Sequence, residues 1–294
     1  MTTNVIEAGG YTLHVRCVAG IESCCYVDSI DVAFDLGFII DRVVSKTHIF
    51  ITHGHVDHIG AVVMHAARRA LQKLMPAQYY MPAHLVPHLE SILQSTAAMQ
   101  GGEPFPARLV PLQPFDEIQI SPKWLVRAVP TTHRVPSLGY VLYERKNRLK
   151  PEYKLLAGKD IAALKRAGHE ITGVELTPEI AYTGDTMIEA FTEAEERAKD
   201  LLRVKVLITE ATYVDDKMTV EDAKARGHTH LDQRPQQLNP RICVLIQIAA
   251  HENLFRHVGT LVLVHFSARY SPEYLSESVR LRFPPSLLNK TVLG

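Results

Sequence analysis

The 294-residue chain has no run of 18 or more apolar residues, so no transmembrane helix is expected. Its first residues, Met1-Thr2-Thr3-Asn4-Val5-Ile6-Glu7, lack a basic stretch followed by an apolar one, and a secretory signal is not supported. Cysteine is scarce. Cys17, Cys24, Cys25 and Cys243 form no Cys-x-x-Cys pair, and the plain reading is a reduced, intracellular protein with small buried thiols. Adjacent Cys24 and Cys25 on a strand would point to opposite faces. Excess charge of either sign is missing too: 32 Lys and Arg balance 32 Asp and Glu. A nucleic-acid partner therefore needs a local basic patch, because bulk charge supplies none. No low-complexity tract or assertable internal repeat is present. The chain does have 46% hydrophobic and 22% charged residues, an ordinary balance for a globular protein with a sizeable core. Cytoplasmic placement is expected, with the nucleus or an organelle left open.

The chain opens as short strands divided by Gly and Asp turns: Tyr11 to Val18, Cys24 to Val27, Val32 to Phe34 and Thr47 to Ile51. Asp35-Leu36-Gly37 closes the third with a carboxylate. A helix is predicted from His58 to Met75, with Val62, Ala66, Ala70 and Leu74 as its apolar stripe and Arg68, Arg69 and Lys73 facing out. His65 on that helix reads as a surface histidine. A strand at Gln78 to Met81 and a helix at Leu85 to Met99 follow. Strands then resume at Arg108 to Leu112, Glu117 to Ile120, Trp124 to Val129, Leu138 to Tyr143, Ile180 to Thr183, Lys205 to Thr209 and Leu261 to Val264. A final helix covers Pro272 to Arg282.

What is abundant is histidine: 15 residues, three of them in Thr52-His53-Gly54-His55-Val56-Asp57-His58-Ile59-Gly60. Here a buried strand turns into a helix. A polar turn in which Asp57 merely caps the helix needs one oxygen and explains none of the imidazoles. Neutral imidazole and carboxylate suit zinc and similar divalent metals. Later strands also deliver a polar residue at their exits: His133, Asp185, Glu210 and His265. Strand ends that converge on one edge are how a layered α/β fold assembles a site.

His53-x-His55-x-Asp57-His58 with His133, Asp185 and His265 resembles the signature of the metallo-β-lactamase superfamily. The resemblance runs from Asp35 to Tyr270 and implies an α/β fold, the four-layer αβ/βα sandwich, with a dinuclear site at one edge. Superfamily membership alone does not fix function. Ile208-Thr209-Glu210-Ala211-Thr212-Tyr213, Gly227-His228-Thr229-His230 and His265-Phe266-Ser267-Ala268-Arg269-Tyr270 resemble three motifs of the ribonuclease Z family, closest to its short form. That family removes 3′ trailers from precursor tRNA. The resemblance implies one metal held by His53, His55 and His133, a second by Asp57, His58 and His265, and Asp185 bridging them. Zinc is the expected ion, with manganese or iron left open. It also implies Asp57 as the acceptor of the water's proton. His228, oriented by Glu210, is the donor to the departing O3′, with His230 as its alternate. A homodimer that binds precursor tRNA and no membrane is expected.

The chain is read as a single domain, 1–294, with two additions. Where many members carry a Pro-x-Lys-x-Arg-Asn loop, it has Gly20-Ile21-Glu22-Ser23-Cys24-Cys25. Its Glu144 to Glu170 stretch replaces a Gly-Pro-rich arm and holds eight Lys and Arg against four Asp and Glu, a net +4. It thus supplies the local patch that RNA needs, against a plain solvated excursion. Arg269, Lys150, Lys154, Lys165 and Arg166 are the candidate RNA contacts. Residues 233–246 read as an insertion of unknown role. The rival enzyme is a phosphodiesterase of small or cyclic phosphodiesters. A lactonase or glyoxalase would not need the Glu210–His228 donor, and a scaffold that has lost catalysis would not need all the site positions intact. A strand-end ion pair with Arg269 is the structural alternative for Glu210.

Overall fold

The structure, a computed structural model, describes residues 3–40, 42–214, 228 and 245–294, with side chains from residue 248 in the last segment. Two seven-stranded sheets pack face to face. The first runs in chain order: β1 (Asn4–Ala8), β2 (Tyr11–Val18), β3 (Glu22–Val27), β4 (Val32–Phe34), β5 (His48–Phe50), β6 (Ala77–Pro82) and β7 (Ala107–Leu112). It is antiparallel up to β4 and parallel from β4 to β7. The second sheet repeats the plan. β8 (Glu117–Gln119), β9 (Trp124–Pro130), β10 (Leu138–Leu149) and β11 (Thr172–Tyr182) are antiparallel neighbours, and β12 (Val206–Glu210), β13 (Thr260–Val264) and β14 (Thr291–Leu293) continue in parallel from β11.

Side-chain alternation along the strands builds three apolar layers. Phe50 points between the sheets with Phe34, Tyr140, Tyr182 and Val262. Its neighbours Ile49 and Ile51 point outward, under α1 (Val56–Ile59), α2 (Val62–Leu71) and α3 (Val86–Met99). Cys25 faces inward and Cys24 outward, as strand geometry requires. On the second sheet Leu261 and Leu263 face outward. There they meet α5 (Glu189–Thr192), α6 (Leu245–Ala250), α7 (Pro272–Arg282) and α8 (Pro285–Leu288), while α4 (Gly158–Arg166) lies between β10 and β11 in sequence. This is the expected αβ/βα sandwich.

Two expectations for the first long helix are corrected. It is broken at Gly60-Ala61 into α1 and α2. His65 and Arg69 are buried, whereas Ala70 is exposed. His65 lies 2.7 Å from the Tyr79 hydroxyl and 3.1 Å from the Val43 carbonyl. The Arg69 guanidinium donates to the carbonyls of Val44, Lys46 and Met75. The buried stripe is therefore Val62, His65, Ala66 and Arg69, at helical spacing, because carbonyls of the preceding loop need donors at that place. The arm begins as a strand: β10 and β11 stay paired out to Leu149 and Thr172. Of the expected insertion, residues 233–244 lie outside the described residues, as do Cys243 and His230. A helix begins at Leu245, inside the last two residues of that expected insertion.

Candidate active site

The parallel strands β4, β5, β11, β12 and β13 all end at one edge, and their exits carry the predicted residues together with Asp35. Asp35 leaves β4, His53 to His58 follow β5, Asp185 follows β11, Glu210 ends β12 and His265 follows β13. His133 comes from the turn between β9 and β10. The two sheets are stitched together here: Leu138 N donates to Thr52 O at 3.0 Å, Ala19 N to Phe266 O at 3.2 Å and the Tyr140 hydroxyl to Ile51 O at 2.6 Å. Two glycines are required by close approach. A Cβ on Gly37 would fall on the backbone of Asp57, and Gly184, with φ +60°, would drive one into Thr52. Asp35 (φ 56°) and His265 (φ 61°) are non-glycine residues held in the left-handed region, at a cost of about 1 kcal/mol or more each.

Each central imidazole has one ring nitrogen committed behind it. Asp35 lies 2.8 Å from His58 Nδ1 and also accepts from the Tyr182 hydroxyl and from Thr52. The Thr52 hydroxyl, donating to Asp35, accepts from His53 Nδ1 at 3.0 Å. The Thr212 hydroxyl donates to Glu210 and accepts from His265 Nδ1 at 3.1 Å. His53, His58 and His265 thereby turn Nε2 inward, the nitrogen that carries the lone pair whenever such a ring is neutral. The result is a convergence of ring nitrogens. His53 Nε2 is 2.9 Å from His55 Nδ1, His133 Nε2 is 3.4 Å from the same atom, and His58 Nε2 is 3.3 Å from His265 Nε2.

Asp185 joins the two halves. Its Oδ1 lies 3.2 Å from His58 Nε2 and 3.3 Å from His265 Nε2, and its Oδ2 3.9 Å from His53 Nε2. Oδ1 is buried and makes no hydrogen bond among the described residues. A buried oxygen left so is costly unless something positive completes it. His53, His55, His133 and Asp185 each offer a donor atom within 4.8 Å of the others, and so do Asp57, His58 and His265. The donor sets predicted from sequence are therefore brought together. Asp185, His228 and His265 form a third such group.

Electrostatics follow burial and neighbours. Burial holds His53 well below the usual imidazole range and His55 down to about 4, so both are neutral at pH 7. Burial opposes charge on His58 too, but the Asp185 and Asp35 carboxylates outweigh it and hold its pKa well above the ordinary value. Burial would raise Asp57, yet His265 and His58 keep it ionised below the usual range. Asp57 Oδ2 accepts from Gly20 N at 2.9 Å.

Beside the cluster stands the Glu210–His228 pair. Glu210 is buried and accepts from Thr186 N at 2.7 Å and from Thr212. His228 Nδ1 lies 3.4 Å from it and 3.6 Å from Asp185. Burial lowers the His228 pKa, but Glu210 and Asp185 more than reverse this and push it up to about 9. Arg269 is not Glu210's partner: its guanidinium lies over the rings of Tyr270 and Tyr213, at 4.7 and 5.4 Å from their centroids. His228 lines a cavity of about 440 Å³ with Ala19, Gly20, Arg134, Thr212, Tyr213 and Ser267.

The arm residues lie apart from this edge. Lys150 pairs with Glu170 at 3.3 Å. Lys154, Lys165 and Arg166 are exposed and have no carboxylate within ion-pair distance among the described residues. Sequence reasoning missed Asp35, Thr52, Thr212 and Arg134 as parts of the site. Asp35 had a signal, a carboxylate at a buried strand's exit.

Two such sheets with histidine and aspartate clusters at their common edge define a member of the metallo-β-lactamase superfamily. The sequence matches the β-lactamase superfamily domain over residues 39–266. The fold is also similar to the metallo-β-lactamase fold protein YhfI of Bacillus subtilis (TM-score 0.60, 13% identity, covering 96% of this chain and 94% of that one). It is similar as well to the short form of human tRNase Z (TM-score 0.51, 20% identity, 97% and 90%). Within that superfamily the chain belongs to the tRNase Z family. It is 35% identical to tRNase Z TRZ1 of Arabidopsis thaliana over 280 residues, 95% of this chain and 94% of that one. Against the chloroplastic tRNase Z TRZ2 of the same plant it is 36% identical over 274 residues, 93% and 72% of the two chains.

Proposed function

We propose that the chain is a tRNA 3′-processing endoribonuclease, cutting the trailer from precursor tRNA and leaving a 3′-hydroxyl on the tRNA and a 5′-phosphate on the trailer. The observation that carries the reading is the buried Glu210–His228 pair beside Asp185, in a chain related nearly end to end to tRNase Z proteins. His53, His55 and His133 would hold one divalent ion, Asp57, His58 and His265 a second, and Asp185 both. The all-nitrogen and oxygen donor set and the orphaned Asp185 Oδ1 fit two zinc ions. Such ions lower the pKa of a water and neutralise charge on the phosphate.

The chain's own residues account for the proton traffic. Asp57, kept ionised and fixed by Gly20 N, takes a proton from the attacking water. As the P–O3′ bond breaks, the ribose oxygen needs a proton. His228 carries one at neutral pH and is oriented for the task by Glu210. The Thr186 and Thr212 hydrogen bonds fix Glu210 in turn, so the donor's position is set from the core outward. Arg269 at the rim and Lys150, Lys154, Lys165 and Arg166 on the arm are read as RNA contacts, in a homodimer of one-domain subunits. The exposure of Lys154, Lys165 and Arg166 supports that assignment.

The test is to incubate zinc-loaded protein with precursor tRNA carrying a trailer and to sequence the 3′ ends. Cleavage at the tRNA–trailer boundary is expected. Hydrolysis of small phosphodiesters with the RNA left intact would replace this reading by the small-phosphodiesterase one.

A further inference from the structure

Arg134 follows the candidate ligand His133 directly and has no role in the scheme above. It is exposed and lines the cavity beside the cluster. Its Nε and Nη2 lie 3.2 and 3.1 Å from one acceptor, His55 Nε2. Among the described residues no carboxylate lies within ion-pair distance of it. Two donors of a permanent cation directed at one neutral ring nitrogen is a poor use of a group built for bidentate oxyanion contacts. The partnership also conflicts with the cluster. His55 turns Nδ1 toward His53 and His133, and once Nδ1 gives its lone pair to a cation, Nε2 must carry the ring hydrogen and stops accepting. The guanidinium then needs another acceptor. Among the described residues the cavity that it lines is walled by Ala19, Gly20, Thr212, Tyr213, His228 and Ser267, with no carboxylate, a lining that favours an anion. The contrast with Arg269 is plain, since that cation is already laid over two aromatic rings.

We infer that Arg134 is a substrate-binding residue which grips a non-reacting phosphate of the RNA next to the scissile one, an inference that rests on the functional reading above. The position follows from the interposed His55 ring. Its Nδ1 faces the cluster and its Nε2 faces Arg134, so the guanidinium stands a full imidazole outside the reacting centre. Arg134 therefore aligns the strand across the cluster and does not take part in bond breaking.

The experiment compares the zinc-loaded wild type, R134A and R134K on precursor tRNAs in which one phosphate flanking the cleavage site, 5′ or 3′, is a neutral methylphosphonate. The adjacent ribose is 2′-O-methylated in these RNAs and in an all-phosphate control. On the control, R134A should lose about 10- to 100-fold in kcat/KM, and R134K should recover only part, for want of bidentate donors. On one of the two methylphosphonate RNAs the wild type should fall to the R134A level, with no further loss in R134A. Zinc content by elemental analysis should be equal in all three proteins. An R134A penalty of the same size on every RNA, or loss of zinc from R134A, would overturn the inference while leaving the functional reading in place. A wild type that cuts none of these RNAs yet hydrolyses a small phosphodiester would overturn both.

Discussion

The site edge and the arm both depend on polar residues, and the two are built in opposite ways. At the edge every central side chain is fixed from behind: Asp35 orients His58, Thr52 orients His53, and Thr212 ties His265 to Glu210. On the arm the contacts are surface pairs such as Arg148–Glu175 and Lys150–Glu170, each worth at most about 1 kcal/mol. The difference teaches where specificity of each kind resides. Chemistry needs atoms held to a few tenths of an ångström, so it sits where burial makes every hydrogen bond count. Attraction for a long anionic chain needs only charge within a screening length, the role proposed for the exposed Lys154, Lys165 and Arg166 of the arm.

The largest expected effect comes from breaking the edge without emptying it. His228→Ala should reduce kcat on precursor tRNA by about 10²- to 10⁴-fold with zinc content unchanged by elemental analysis. Loss of zinc would instead make His228 a ligand, as its grouping with Asp185 and His265 permits. Next is the support behind the edge. Asp35→Asn should weaken zinc binding about 10- to 100-fold, read by competition with a chelator. Unchanged affinity would mean that orientation from behind contributes nothing. Smaller still is the arm. Deleting 150–168 should raise KM for precursor tRNA about tenfold, a loss equivalent to a few phosphate contacts, and spare bis(p-nitrophenyl) phosphate. Equal losses on both substrates would erase the distinction between the two regions.

A last effect, on stability and not on activity, concerns a buried histidine outside both regions. Burial holds the His65 pKa down to about 4, against about 6.5 unfolded. Above pH 6.5 both states are neutral there and its contribution is flat. As pH falls from 6.5 toward 4 the unfolded chain takes a proton that the fold refuses, and stability drops by up to about 3 kcal/mol. Urea unfolding at pH 7.5 and 4.5 should show a smaller drop in His65→Gln than in the wild type. Equal drops would place that proton elsewhere.

The His53–His58 turn, His133, Asp185, Glu210 and His265 were legible because each stands at the exit of a buried strand, a signal that is local in sequence. What lay hidden depends on partners far along the chain. Asp35 and His58 are 23 residues apart, and Thr212 and His265 53. Arg69 reads as a solvent-facing helix residue until the loop carbonyls at Val44 and Lys46 are seen beneath it. β1 and β14 are short edge strands, and only their pairing with β2 and β13 defines them. Arg134 carried no pattern at all, since its meaning lies in what it faces across the cavity.

Anomalous diffraction from a zinc-loaded crystal, recorded at the zinc edge, tests the central claim most directly. Two peaks are predicted, one among His53, His55 and His133 and the other among Asp57, His58 and His265, with Asp185 touching both. A single peak, or a second one held by His228 in place of Asp57, would contradict the account.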